Sequence, residues 1–243
     1  MWVVVALFLI LISYGFWEFS SHRFHLNQLS VRIHINGTRG KSSVTRLITG
    51  GLRGAGYKVF AKTTGTKPRM LFVDGNEASV HRVGKPNIIE QVRIVARAAK
   101  QKPEYFVTEC MGIQPHLQEL LEKQFIKANI GVITNVRPDH LDAMGPTVNE
   151  VALALSTTIP RKGQLFTSEE KFINMFQEKA DVLGTKVHGV KDHKISDNEM
   201  RGFSYLEQKE NVALALAVCE YCGAKREDAM RGMHQMVPDP GVL

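Results

Sequence analysis

The first seventeen residues contain no charged side chain; the run "MWVVVALFLILISYGFWEF" meets its first charge at Glu18. That is about the length needed to cross a bilayer core. The run also lacks the basic start and small-residue cleavage site of a removable secretion signal. Its apolarity on every side sets it apart from an amphipathic helix packed on a core. A transmembrane anchor over 1–19 is therefore expected, with a buried core helix as the alternative. A second absence follows. Between Phe19 and Val73 there is no Asp or Glu but there are ten Lys or Arg, so the chain total of +7 leaves −3 for the remainder (7 − 10). Such a stretch suits a nucleotide, a polyanion or an anionic membrane surface, or else a solvated basic face. No nucleic-acid recognition signature accompanies it, so no nucleic-acid partner is expected. Arg23 and Arg32 follow the apolar run and no basic side chain precedes it, which places the bulk of the chain on the cytosolic side of the cell membrane as a single-pass protein.

Cysteine is scarce. Cys110, Cys219 and Cys222 are an odd number, which argues against a disulfide framework. The "CEYC" pair has no second Cys/His pair to complete a zinc site and lies in an apolar helical run, so core packing explains it better. Internal repeats and low-complexity segments are absent. A chain of 243 residues can bury a sizeable core, as one domain or as one large and one small lobe.

Against these absences stands "HINGTRGKSSV", His34 to Val44. The β-branched "VRIHI" before it reads as a buried strand, and Val44, Leu47, Ile48 and Leu52 after it recur at helical spacing. A strand, a Gly-X-X-Gly-Lys-Ser turn and a helix form a phosphate cradle, because the first N–H groups of a helix have no partner within it. Lys41 is expected to reach the β- and γ-phosphates of a nucleotide, and Ser42 to sit on Mg²⁺. The loop is shorter than usual: Ile35 stands where a nucleotide loop carries its first glycine, and Gly37 lies three residues before Gly40. A chance glycine turn is the competing reading.

Strand and helix patterns then alternate. "YKVFAK", "EYFVTE", "ANIGVIT" and "GQLFT" read as strands, "MLFV" and "ASVHRV" as a hairpin, and "NIIEQVRIVARAAKQ", "PHLQELLEKQ" and "TVNEVALALSTTI" as helices. This predicts an α/β fold, a P-loop-type mostly parallel sheet with helices on both faces, preceded by one N-terminal transmembrane helix. Ligands on such sheets bind beyond the carboxyl ends of the strands. Glu109 ends one strand there, and "VITNVRPDHLDAMG" brings His140 between Asp139 and Asp142 just past another. Glu109 and His140 are candidates for a second divalent cation.

In their order, "GTRGKSS", the strand-end Glu109, "TNVRPDHLDAMG" and "ENVALALAVCEYCGAKREDAMRGM" resemble the Mur ligase central domain from about Val31 to the C-terminus. With a membrane run directly before the loop, the whole is similar to the ligase subunits of poly-γ-glutamate synthetases, membrane enzymes that make capsular or secreted polyglutamate. The resemblance implies an ATP- and Mg²⁺-dependent amide ligase that phosphorylates a carboxylate and lets an amine attack the acyl phosphate. It assigns Gly37, Thr38, Arg39, Gly40, Lys41, Ser42 and Ser43 to the nucleotide, Ser42, Glu109 and His140 to the metals, and Asn211 to the adenine, with Lys41, Glu109 and His140 as the catalytic group. Lys67 and Arg69, in "TTGTKPRM", are the candidates for binding the substrate carboxylate. Implied partners are glutamate, the growing polymer, other membrane subunits and the bilayer. A membrane-anchored nucleotide-binding subunit that energises or gates export of an anionic polymer is the rival reading. The region matching the carbamoylated lysine of many Mur ligases, "VALALSTTI", has no lysine. The resemblance divides the chain into an anchor (1–19), a juxtamembrane linker (20–30), an ATP-binding domain (31–237) and the start of a linker to a further domain (238–243).

Overall fold

In a computed structural model, all residues are described except Met1, Thr66, Val83, Lys85, His193, Lys194 and 239–243, so most of the expected C-terminal linker lies outside the described residues. The first element is a helix, α1 (Trp2–Asn27). Its large apolar side chains are exposed from Trp2 to Phe19. The helix does not stop where a linker was expected: residues 20–27 continue it, and His22 and Leu26 are buried against the body.

An eight-stranded sheet organises the body: β1 (Val31–Asn36), β2 (Val59–Lys62), β3 (Arg69–Leu71), β4 (Glu77–Ser79), β5 (Tyr105–Glu109), β6 (Ile130–Ile133), β7 (Gln164–Thr167) and β8 (Lys186–Gly189). Their spatial order is β4-β3-β2-β5-β1-β6-β7-β8. The six strands from β2 to β8 in that order are parallel, while β3 and β4 continue the β2 edge as an antiparallel hairpin. β1 lies between β5 and β6, in register Ile35↔Glu109 and Ile35↔Val132, and this brings three strand ends to one edge.

The helices are α2 (Lys41–Gly54), α3 (Glu90–Gln101), α4 (Pro115–Leu120) running into a π-helical segment (Leu121–Ile126), α5 (Leu141–Met144), α6 (Val148–Ser156), α7 (Ile173–Leu183), α8 (Asp197–Met200), α9 (Lys209–Tyr221) and α10 (Arg226–His234). Helix α2 buries Val44, Leu47, Ile48 and Leu52, the predicted apolar stripe, against the sheet and against α9 and α10. The contact with α10 is close: a Cβ on Gly232 would stand 2.0 Å from the Gly50 carbonyl oxygen. Cys219 is buried in this cluster and donates weakly to the Ile48 carbonyl at 3.7 Å, consistent with packing and not zinc.

The basic stretch does not form one face. Arg46, 2% exposed, makes a two-pronged ion pair with Glu77 at 2.8 and 3.0 Å and so straps the hairpin to α2. Lys62 is fully buried on Glu90 at 2.8 Å. Arg32 and Arg53 donate to main-chain carbonyls. Several of these cations hold the fold together internally, which composition alone cannot reveal.

Candidate functional site

The phosphate loop leaves β1 at Asn36 and enters α2 at Lys41. Two of its residues require glycine. Gly37 has φ +132° and Gly40 φ +80°, and a Cβ would meet Thr134 Oγ1 at 2.0 Å in the first case and Asn211 Oδ1 at 2.6 Å in the second. The first main-chain bond into the helix is Val44 N–H to the Gly40 carbonyl, at 2.9 Å. The N–H groups of Lys41, Ser42 and Ser43 therefore have no helical acceptor and are available to an anion, with the helix dipole behind them. Lys41 turns back on the loop, its Nζ donating to the carbonyls of Gly37 (2.7 Å) and Thr38 (3.2 Å).

The segment after β6 clamps this loop. Thr134 Oγ1 donates to the Arg39 carbonyl at 2.6 Å. Asn135 accepts from Thr38 Oγ1 (2.7 Å) and Arg39 N–H (3.1 Å) at its side-chain oxygen, and donates through Nδ2 to the Arg39 carbonyl (3.2 Å). Thr38 N–H donates to the Asn135 carbonyl, and the Arg137 N–H donates to Thr38 Oγ1. Thr38 thus acts as a buried rivet, and the "TNVR" run serves to hold the loop in shape. The motif showed in the sequence, but Asn135 had no evident role there because its partner lies about a hundred residues away.

Glu109 sits beside the cradle. It is 2% exposed, and its Oε2 accepts from Ser42 Oγ at 2.8 Å and from Thr64 N–H at 2.7 Å. A hydroxyl and a carboxylate in contact at the mouth of a phosphate loop are hard oxygen donors suited to Mg²⁺. His140 is placed differently. It occupies a left-handed conformation (φ 45°) at the start of α5, half exposed, with Nε2 3.9 Å from Asp139 and no hydrogen bond to Glu109 or Ser42. Among the described residues no group of three His, Cys, Asp or Glu converges to hold a metal. Arg39 points outward and reaches Asp139 at 3.4 Å. Asn211 comes to the loop, but it is buried against Gly40 and its amide donates to Glu207 at 3.0 Å. Of the two candidate carboxylate binders, Lys67 is exposed, whereas Arg69 is drawn into the hairpin by Glu77 (3.4 Å) and Ser79 (3.2 Å).

Sequence reasoning missed the charges behind Glu109. Lys62, at the end of β2, is bonded to Glu90, which is also held by Arg82 at 2.6 Å. Burial drives the Lys62 ammonium pKa down, opposed by Glu90 and Glu109. Burial would raise the Glu90 carboxyl, but Arg82 and Lys62 outweigh it and hold the group below its usual range. A lysine closing an otherwise apolar strand was the one signal available. Deeper still, His34 bonds Glu122 at 2.8 Å. Burial would lower its pKa, yet contacts with Cys110 and Glu122 push it up to about 10.

A parallel α/β sheet that carries a glycine loop, an open helix terminus with a lysine and a serine in its first turn, and a carboxylate at the neighbouring strand end has the layout of a nucleotide phosphate-binding domain. The family is more specific: residues 35–215 match the Mur ligase middle domain, and the chain belongs to that family. It is 46% identical over 235 residues to a capsule biosynthesis protein CapB of Bacillus anthracis, covering 96% of this chain and 51% of that protein. With the PGA synthase CapB of Bacillus subtilis it shares 39% identity over 245 residues, covering 100% of this chain and 62% of that protein. The chain thus spans between half and two thirds of the length of these relatives. Among solved structures, it resembles a bifunctional folylpolyglutamate synthase/dihydrofolate synthase of Yersinia pestis complexed with AMPPNP and Mn ion. The TM-score is 0.67 at 14% identity, over 89% of this chain and 60% of that one, which bears on the fold alone.

Proposed function

We propose that the chain supplies the nucleotide half of an ATP-dependent amide ligase that polymerises glutamate through γ-linkages by way of an acyl phosphate. The observation that carries this reading is the contact of Ser42 with Glu109 at the open start of α2, in a Mur ligase middle domain related to CapB proteins. Ser42 and Glu109 would hold Mg²⁺, which supplies charge neutralisation on the phosphates, with His140 as a further ligand. Lys41 exchanges its loop carbonyls for phosphate oxygens. The unpaired N–H groups of α2 fix the anion with no reorganisation of the backbone. Thr134, Asn135 and Thr38 keep those donors aimed, and Lys62 supplies buried positive charge behind Glu109. Asn211 borders the nucleotide from below Gly40, and Lys67 remains the candidate for the substrate carboxylate.

Helix α1 serves as a membrane anchor in this reading, with the body on the cytosolic face where ATP is present, beside other membrane subunits of a synthetase. Its support is an 18-residue window of mean hydropathy 2.0 with none of it buried. Glutamate-dependent release of ADP from membranes carrying the protein tests the ligase. Nucleotide binding with no glutamate dependence would instead favour a subunit that energises or gates polymer export. Protection of the body from protease added outside intact cells tests the topology.

A further inference from the structure

One cavity lies away from the phosphate loop. It measures about 440 Å³ and opens at the amino ends of β1, β6 and β7, between the π-helical segment and α7. Six cations line it: Arg32, Lys123, Lys127, Arg161, Lys162 and Lys179. Of its two acids, Glu122 is engaged by His34 outside the lining, and Glu119 pairs with Lys123 within it. The lining has a formal excess of four positive charges (6 − 2). Among the described residues, Lys127, Arg161, Lys162 and Lys179 form no salt bridge. A concave surface that gathers unneutralised cations at this density attracts an anion.

The backbone adds an independent observation. Among the described residues, four non-glycine residues have positive φ, and three are lysines: Lys102 (φ 48°), Lys127 (φ 49°) and Lys162 (φ 54°). They occupy the turns leading into β5, β6 and β7, all at this end of the sheet. Glycine or asparagine would suit those turns better, since a lysine there is strained by roughly 1 kcal/mol. Two of the three line the cavity.

What lies nearby identifies the ligand. Helix α1 enters the fold at this end, where His22 bonds the Phe125 carbonyl at 3.1 Å and Arg32 ties Leu29, Ile126 and Lys127 together through their carbonyls. Lys127 and Arg32 therefore belong both to the root of the apolar helix and to the cavity wall. The phosphate loop lies at the far end of β1, roughly 17–20 Å away by strand rise, beyond reach of the acyl transfer. We propose that this cavity binds the phosphodiester head group of an anionic phospholipid and so seats the domain on the bilayer surface beside its own anchor. The proposal rests on the reading of α1 as a membrane anchor. An anionic leaflet offers negative charge at that depth, and a cavity of this size admits a glycerophosphate head group with the start of its chains.

The test uses the full chain in neutral detergent, titrated with dioctanoyl phosphatidylglycerol or dioctanoyl phosphatidylcholine and read by native mass spectrometry. Phosphatidylglycerol is expected to bind at least roughly tenfold tighter than phosphatidylcholine. The triple variant K127Q/K162Q/K179Q should lose about that preference, the matching Lys→Arg variant should keep it, and both should bind Mg-ATP as before. Equal binding of the two lipids, or a preference unchanged in the Gln variant, would overturn the proposal. So would competition by inorganic phosphate at the same concentration as the lipid, or stronger binding of a γ-linked glutamate oligomer. The anchor is tested separately by carbonate washing of vesicles. Extraction of the chain with lipid preference intact refutes the anchor alone, and retention without preference refutes the cavity alone.

Discussion

Lys41 is bonded to two loop carbonyls, so removing its side chain is expected to cost little stability and much function. Lys41→Ala deletes two partly buried hydrogen bonds, a loss of about 1 kcal/mol in the apo protein. It also deletes the cation on the phosphates, and ATP turnover should fall at least about a hundredfold. Thermal melting and an ADP-release assay measure the two effects side by side, and normal turnover would remove Lys41 from the site. Glu109→Gln keeps an acceptor for Ser42 and Thr64 but removes the charge, so the Mg²⁺ concentration for half-maximal nucleotide binding should rise about tenfold or more. An unchanged Mg²⁺ requirement would contradict the metal assignment. A third residue reports on acid stability. Glu199 accepts from Arg226 at 2.8 and 3.2 Å, and these bonds, with those from Ser196, hold its carboxyl down at about 2 against an ordinary 4.5. Its folded value is depressed, so its contribution is complete above pH 4.5 and is lost as pH falls toward 2. For a partly exposed group that contribution is about 1–2 kcal/mol. Glu199→Gln should therefore flatten the acid limb of a denaturation profile while changing little below pH 2. The sequence disclosed the residues with a short-range signature (Gly37, Gly40, Lys41, Ser42) and the strand-end Glu109. It could not disclose Asn135 as the loop clamp or Lys62 as the buried charge, because their partners are set by strand order and not by spacing.

Among the elements, α2 connects sheet, site and hairpin. Its amino end presents the phosphate donors, its middle sends Arg46 to Glu77, and its last turns pack on α10 with almost no space between the backbones. A Cβ on Gly232 would lie 2.0 Å from the Gly50 carbonyl oxygen and 2.8 Å from Gly54 Cα, so neither backbone can yield without the other moving. Gly232→Ala should destabilise the domain by about 1–3 kcal/mol, the range for an overpacked core, and loosen nucleotide binding by tilting α2. Gly56→Ala is a poor control because of its positive φ, whereas Gly15→Ala, with nothing within 4 Å, should be neutral. Equal melting of the Gly232 and Gly15 variants would disprove the tight crossing. Helices with a clean apolar stripe, such as α2 and α3, were legible in the sequence, and so were the parallel strands of the sheet centre. Helix α7 and strand β8 were not. Strand β8 is too short and too exposed to alternate, and α7 buries only Phe176 and Ala180, too few positions to set a period.

At the scale of the whole molecule, the apolar helix divides into two functional parts. From Trp2 to Phe19 its large apolar side chains are exposed and lie outside the folded body, an apolar surface of the kind that marks an interaction site. From His22 onward the same helix is structural: His22 is 6% exposed and bonded to the Phe125 carbonyl, and Leu26, 3% exposed, packs with Leu29, Phe60, Ile94 and Phe106. Two deletions separate these roles. Removing residues 1–19 takes away only the exposed part, so the body should become soluble without detergent, melt within a few degrees of the parent and retain Mg-ATP binding. Removing residues 1–28 also strips Leu26 from the core and opens the surface beneath it. Burying one leucine is worth about 1.5–3 kcal/mol, and in a domain of this size each kcal/mol moves the melting temperature by roughly 2–4 °C. The longer deletion should therefore melt roughly 5–10 °C below the shorter one and expose an apolar patch that promotes aggregation. Calorimetry on the two purified proteins decides the matter. Identical melting would mean that α1 is only tethered to the domain, whereas the expected gap would show that its last two turns are built into the fold.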